Sequence, residues 1–225
     1  MTSFARMESI DSMKQRTSVD TLLPPFDSER LRSRLQKLDR QRQLAFGAAC
    51  CERLLPTYEA FQIDANWGNY RSARQALDLV WSNLKGAILT RFDVRRAIVS
   101  CESVAPTSDI SDSLYVAGAQ DACFAICSLL DHMAEPEVDR IVQAATFATD
   151  SVDLYVQGIE NMAPNDPALE DKILAHRLMQ RELLQQDRDL EAVEQASTID
   201  ETFLVELKSS WDNDGKSNLD LPIHR

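Results

Sequence analysis

Residues 114–133 run Leu-Tyr-Val-Ala-Gly-Ala-Gln-Asp-Ala-Cys-Phe-Ala-Ile-Cys-Ser-Leu-Leu-Asp-His-Met, and wound as a helix they are apolar on nearly every side. A helix without a polar face must be wrapped by other elements, so this stretch predicts a central helix with neighbours all round. Gly118, between Ala117 and Ala119, leaves room for one of those neighbours to approach closely. Nowhere does the chain hold the ~20 uninterrupted apolar residues that a bilayer span needs.

The flanking sequence supplies the wrapping. From Asp27 onward the apolar residues keep a helical period. Leu31, Leu35 and Leu38 share a face of a short first helix that Asp27 or Ser28 can cap. Asp39 reads as the next cap, followed by Leu44, Ala48, Cys51 and Leu55 until Pro56 interrupts, with a further short segment carrying Tyr58 and Phe61. Asn66-Trp67-Gly68-Asn69 is turn chemistry. Leu77, Val80, Trp81, Leu84 and Ile88 then form an amphipathic stripe, and Phe92 to Val104 another helix. After the central helix, Pro136 opens a helix that holds its period through Val138, Ile141, Val152 and Ile159. Asp166-Pro167 predicts the start of one long helix to about Ala196, with Leu169, His176, Leu183 and Leu190 seven apart. Thr198 with Glu201 reads as a capping box opening a last helix. No segment alternates as a strand would. The expectation is an all-α, compact single-domain bundle of about eight helices over residues 27–220, preceded by a mobile N-terminal extension, residues 1–26.

Charge is divided unevenly along the chain. Residues 1–110 hold 16 Lys/Arg against 13 Asp/Glu, whereas residues 111–225 hold 8 against 23, leaving a net charge of −12. Phosphate backbones repel the acidic half, so a nucleic-acid partner is not expected. Two readings stay open: the carboxylates are solvated helix faces, or they attract a basic protein surface. Five cysteines without a Cys-x-x-Cys pair, and no secretory hydrophobic run, predict reduced thiols in the cytoplasm.

Few residues carry chemistry. His132, His176 and His224 are scattered, and no nucleophile or metal-ligand spacing is present. No catalytic residue, metal or cofactor is therefore expected, although Cys50, Cys51, Cys123 and Cys127 have the donor type for a soft metal if the fold gathers them. Asp121 stands out, because a carboxylate on the greasiest helix must be paired, protonated or beside a cavity. An arginine such as Arg53 or Arg74 is its expected partner; the functional alternative is a ligand site at Asp121 joined by Glu52, Arg53 or Asp78. Trp67 and Tyr70 flank the Gly68 turn, either as a contact surface or as pins that hold the turn to the core.

Several phrases together resemble one known family. Leu44-Ala45-Phe46 through Cys51-Glu52-Arg53-Leu54-Leu55-Pro56-Thr57-Tyr58-Glu59-Ala60-Phe61, then Leu77-Asp78-Leu79-Val80-Trp81, then Asp121-Ala122-Cys123 within residues 115–125, then Ser217-Asn218-Leu219 resemble, in order, the elements of the YjaG-like bacterial proteins, a domain of unknown function. The resemblance implies a compact all-helical bacterial cytosolic protein and brings no catalytic residues with it. Three functions follow as expectations: a non-catalytic protein-interaction module that binds a partner or, as a homo-oligomer, a second copy of itself; an acidic immunity-type inhibitor of a basic toxin; and a small-ligand binder or enzyme with a site near Asp121.

Overall fold

A computed structural model describes residues 22–212 and 215–222. Among them the chain forms nine α-helices: α1 (Ser28–Leu35), α2 (Arg40–Ala65), α3 (Tyr70–Leu84), α4 (Arg91–Glu102), α5 (Val116–Ala134), α6 (Val138–Ile159), α7 (Leu169–Ala175), α8 (Arg177–Gln195) and α9 (Glu201–Ser209). The only β feature among the described residues is one isolated bridge between Lys216 and Pro222. The fold is all-α. Residues 1–21, most of the expected mobile extension, lie outside the described residues; residues 23–26 at its end pack on the core through Leu23 and Phe26.

The apolar stretch is the central helix, α5, with α2, α3, α4 and α6 packed around it. Ala119, Ala122, Cys123, Ala125, Ile126, Leu129 and Leu130 lose all contact with water, each large aliphatic side chain among them stabilising by about 1.5–3 kcal/mol. Gly118 is one of the tight points of this packing. A Cβ there would lie 2.6 Å from both Thr57 Cγ2 of α2 and Ser151 Oγ of α6.

Helix starts follow local chemistry. Asp27, Asp39 and Asn69 accept from the amides of Arg30, Arg42 and Ser72 at 2.9, 2.9 and 3.2 Å. Thr90 and Asp93 cap α4 reciprocally. The α2–α3 turn places Asn66 (φ 49°) and Gly68 (φ 103°) in the left-handed region, and Tyr58 Oη, which would lie 2.9 Å from a Cβ on Gly68, accepts from Asn69 N and donates to Val104 O.

Four expectations are corrected. The amphipathic stripe of α3 ends at Leu84, and Ile88, expected on it, lies in the loop beyond and is 97% exposed. Pro56 does not end its helix: α2 runs through it, with Pro56 itself buried among Leu55, Tyr58 and Phe61. Tertiary burial on both sides outweighs the ~3 kcal/mol penalty of an interior proline. The long helix expected after Asp166 is two, because His176 is extended (ψ 137°) and caps α8 by accepting from Leu178 N. The last helix is capped by Asp200, which accepts from Phe203 N at 2.9 Å, rather than by Thr198.

Candidate functional site

Helix α2 puts adjacent residues Glu52 and Arg53 on different sides, and each organises its own charged cluster. Arg53 has no exposed surface. Its Nε lies 3.2 and 3.1 Å from the two oxygens of Glu182, its Nη2 donates to Glu182 Oε1 at 3.0 Å, and its Nη1 reaches Asp189 Oδ2 at 2.5 Å. Glu182 also accepts from Gln186 and, through its other oxygen, from Asn218, both at 2.9 Å. Asp189 also accepts from Gln185 at 2.8 Å and Ser210 at 3.0 Å. Burial pushes the Asp189 carboxyl up, opposed by Arg53 and these hydrogen bonds. One cation therefore answers two carboxylates in a dry interior, and neutral donors carry the rest. Cys50, against the guanidinium, is pushed by burial to about 12, so it stays a thiol.

Glu52 faces the other way. Arg74 grips it with two bonds of 2.7 and 2.8 Å, and Trp81 Nε1 donates to it at 2.6 Å. Arg74 also pairs with Asp78 at 2.8 Å, and Lys208 lies 3.4 Å from Glu52, 3.5 Å from Asp78 and 5.5 Å over the Trp81 ring. Two cations balance two carboxylates, tying α2, α3 and α9 together.

Asp121 joins neither cluster. The expected arginine is absent: Arg53 and Arg74 are engaged elsewhere, and Asp121 Oδ2 is buried with no hydrogen-bond partner among the described residues. Burial first, and the neighbouring Asp150 second, push this carboxyl up to about 7. Asp150 on α6 is itself raised by burial and by Asp153. The hydroxyls of Thr57 and Ser151, on either side of Gly118, are also buried without partners.

Of the sequence candidates, the structure brings Glu52 and Asp78 together and leaves Arg53 and Asp121 apart from them. Trp67 packs edge-on against Phe61 at 5.9 Å while staying 36% exposed, and Tyr70 packs against the core with its backbone amide donating to Gln62. The five cysteines are buried and free, and no group of three or more His, Cys, Asp or Glu among the described residues could hold a metal. Glu182, Gln186, Asp189 and Ser210 escaped the sequence reading. The first three fall at i, i+4 and i+7, a polar stripe on α8 that was there to be noticed.

Ser217, Asn218 and Leu219, the closing phrase of the family resemblance, are all buried, and Asn218 completes the shell of Glu182, the partner of Arg53. The family described as "Protein of unknown function (DUF416)" matches residues 30–222, which holds both ends of that cluster. The chain belongs to the DUF416 family. A crystal structure of a DUF416 family protein from Shewanella baltica superposes with a TM-score of 0.76 at 26% identity, covering 85% of this chain and 98% of that one. An uncharacterized protein of Haemophilus influenzae is 23% identical over 197 residues, 87% of this chain and 98% of its own length. The uncharacterized protein YjaG of Escherichia coli is 33% identical over 99 residues, 43% of this chain and 49% of its own. No helix among the described residues of this DUF416 chain is long and apolar enough to cross a membrane.

Proposed function

We propose that this protein is a non-catalytic, cytosolic interaction module whose acidic side receives a basic protein surface. The observation that carries the reading is where charge stands in the open. Residues 105–160 carry ten carboxylates against one arginine, Arg140, and although Asp121 Oδ2 is buried and Asp139 pairs with Arg32, most of the others stand exposed. Asp109, Ile110, Asp112 and Leu114 are exposed in the loop before α5, and Asp150, Leu154, Ile159 and Glu160 are exposed on and just after α6. Leu114 joins the two sets, since its Cδ1 would lie 2.2 Å from a Cβ on Gly158. Apolar patches rimmed by one sign of charge favour fast, salt-sensitive association with the opposite sign. The buried clusters support the same reading, because the carboxylate oxygens of Glu182 and Asp189 are occupied by internal donors. An immunity-type inhibitor of a basic toxin is a special case of this function.

The test is capture from bacterial lysate at low and high salt, with wild-type protein beside an Asp112→Lys/Asp150→Lys variant. A basic protein held by the wild type, released as salt rises and lost from the variant is the expected result. A metabolite or metal bound stoichiometrically by the wild type and lost in Asp121→Asn would replace this reading with a ligand site, for which the partnerless Asp121 oxygen is the supporting observation.

A further inference from the structure

The acidic chain has one face of the opposite character. Along the outside of α4 and the loop before it, Ile88 is 97% exposed and Phe92 72%, with Val99 also exposed. Arg91, Arg95 and Arg96 are exposed around them, Arg96 lying 6.0 Å over the Phe92 ring. None of the three arginines forms an ion pair among the described residues. The nearby acids Asp131 and Glu137 are answered by Arg140, at 3.9 and 3.4 Å. Arg91 and Arg95 also wall a cavity of about 280 Å³ shared with Glu135 and Ala134. Of the other acids of this face, Glu135 lines that cavity, and Asp93 is turned back onto Thr90 with Arg96 near enough to favour its charged form.

Three exposed arginines without a close ion pair, set around protruding apolar side chains, suit an acidic, partly apolar counterpart. The same chain carries such a counterpart, in the loop before α5 and on α6. We propose that the α4 face of one copy docks on the acidic face of a second copy, setting Ile88, Phe92 and Val99 against Leu114, Leu154 and Ile159, and the arginines against Asp109, Asp112 and Asp150. The two faces lie on different elements, α4 and α6, which both flank α5, so the contact either is made twice across a two-fold axis or repeats head-to-tail as a ring or an open chain. This inference deepens the interaction-module reading and rests on it. A basic partner would compete with the second copy for the same carboxylates.

Sedimentation velocity decides it. Wild type is expected to associate at about 20 mM salt and to dissociate at about 500 mM, as the screening length falls from ~20 Å to ~4 Å. Phe92→Asp/Arg95→Glu blocks one face and Asp112→Lys/Asp150→Lys the other. Each variant alone is expected to stay monomeric with wild-type circular dichroism, and an equimolar mixture to form a heterodimer through the two intact faces. Wild type that is monomeric at low salt would overturn the inference, as would association that survives in either variant. If the monomeric wild type still captures a basic protein, the function proposed above stands without it.

Discussion

Arg53 and Asp121 pose the same problem, a charge placed among apolar helices, and the fold treats them oppositely. Arg53 is enclosed by acceptors, so removing it strands Glu182 and Asp189 in the dry interior. Arg53→Met is expected to cost about 3–5 kcal/mol in urea unfolding, because an uncompensated buried charge is worse than an apolar core. Asn218→Ala takes away one neutral donor and should cost about 1–2 kcal/mol. Asp121 has no such enclosure. With its folded-state pKa near 7, against an ordinary 3.8, the native protein holds a proton between those values that the unfolded chain releases. The unfolded state then binds fewer protons, so stability falls as pH rises through that window. Asparagine cannot ionise and removes the fall. Asp121→Asn should therefore melt close to wild type below pH 4, and above it at pH 8 by the equivalent of about 2–4 kcal/mol. Equal melting temperatures at pH 8 would mean that water reaches the carboxylate.

Two glycines show how tightly the helices meet. At Gly118 an added Cβ meets Thr57 Cγ2 and Ser151 Oγ at 2.6 Å, and threonine's branched side chain has little room to turn. Gly118→Ala should destabilise by about 1–3 kcal/mol, with overpacking exceeding the ~1 kcal/mol gained in helix propensity. At Gly47 the obstacle, 2.5 Å away, is the far end of Leu129, which can shift, so Gly47→Ala should cost less. Paired urea titrations of the two variants check the order. The elements differ in how far they could be read from sequence. Helix α5 announced itself by lacking a polar face, and the caps at Asp27 and Asp39 were legible because capping is decided within three residues. The run through Pro56 was not, since local propensity argues against it and only the burial of Leu55, Tyr58 and Phe61 outweighs that. The break at His176 was hidden for a different reason: the seven-residue spacing of Leu169, His176, Leu183 and Leu190 continues across it. The stripe of Glu182, Gln186 and Asp189 was visible in its spacing, but its meaning depends on an arginine 129 residues earlier, for which no local signal exists.

Across the whole molecule, two apolar clusters are joined by Phe26 and Tyr115, which pack against both. Leu23 is fastened beside them by its amide, which donates to Gln180 Oε1 at 2.7 Å. Phe26→Ala is expected to lower stability by about 1–3 kcal/mol while unfolding stays a single cooperative transition by circular dichroism and tryptophan fluorescence. Two separated transitions would mean that the clusters hold independently. The Arg53 cluster adds an order of events to this picture. During synthesis, at 5–20 residues per second, roughly 6–26 s pass between the emergence of Arg53 and that of Glu182, and Asn218 arrives later still. Throughout that interval the guanidinium lacks both of its native carboxylates, Glu182 and Asp189, and has no enclosed site in an apolar interior. The nascent first half must keep α2 unseated or wet on that side, open to any chaperone that recognises it, until the last helices arrive to close it.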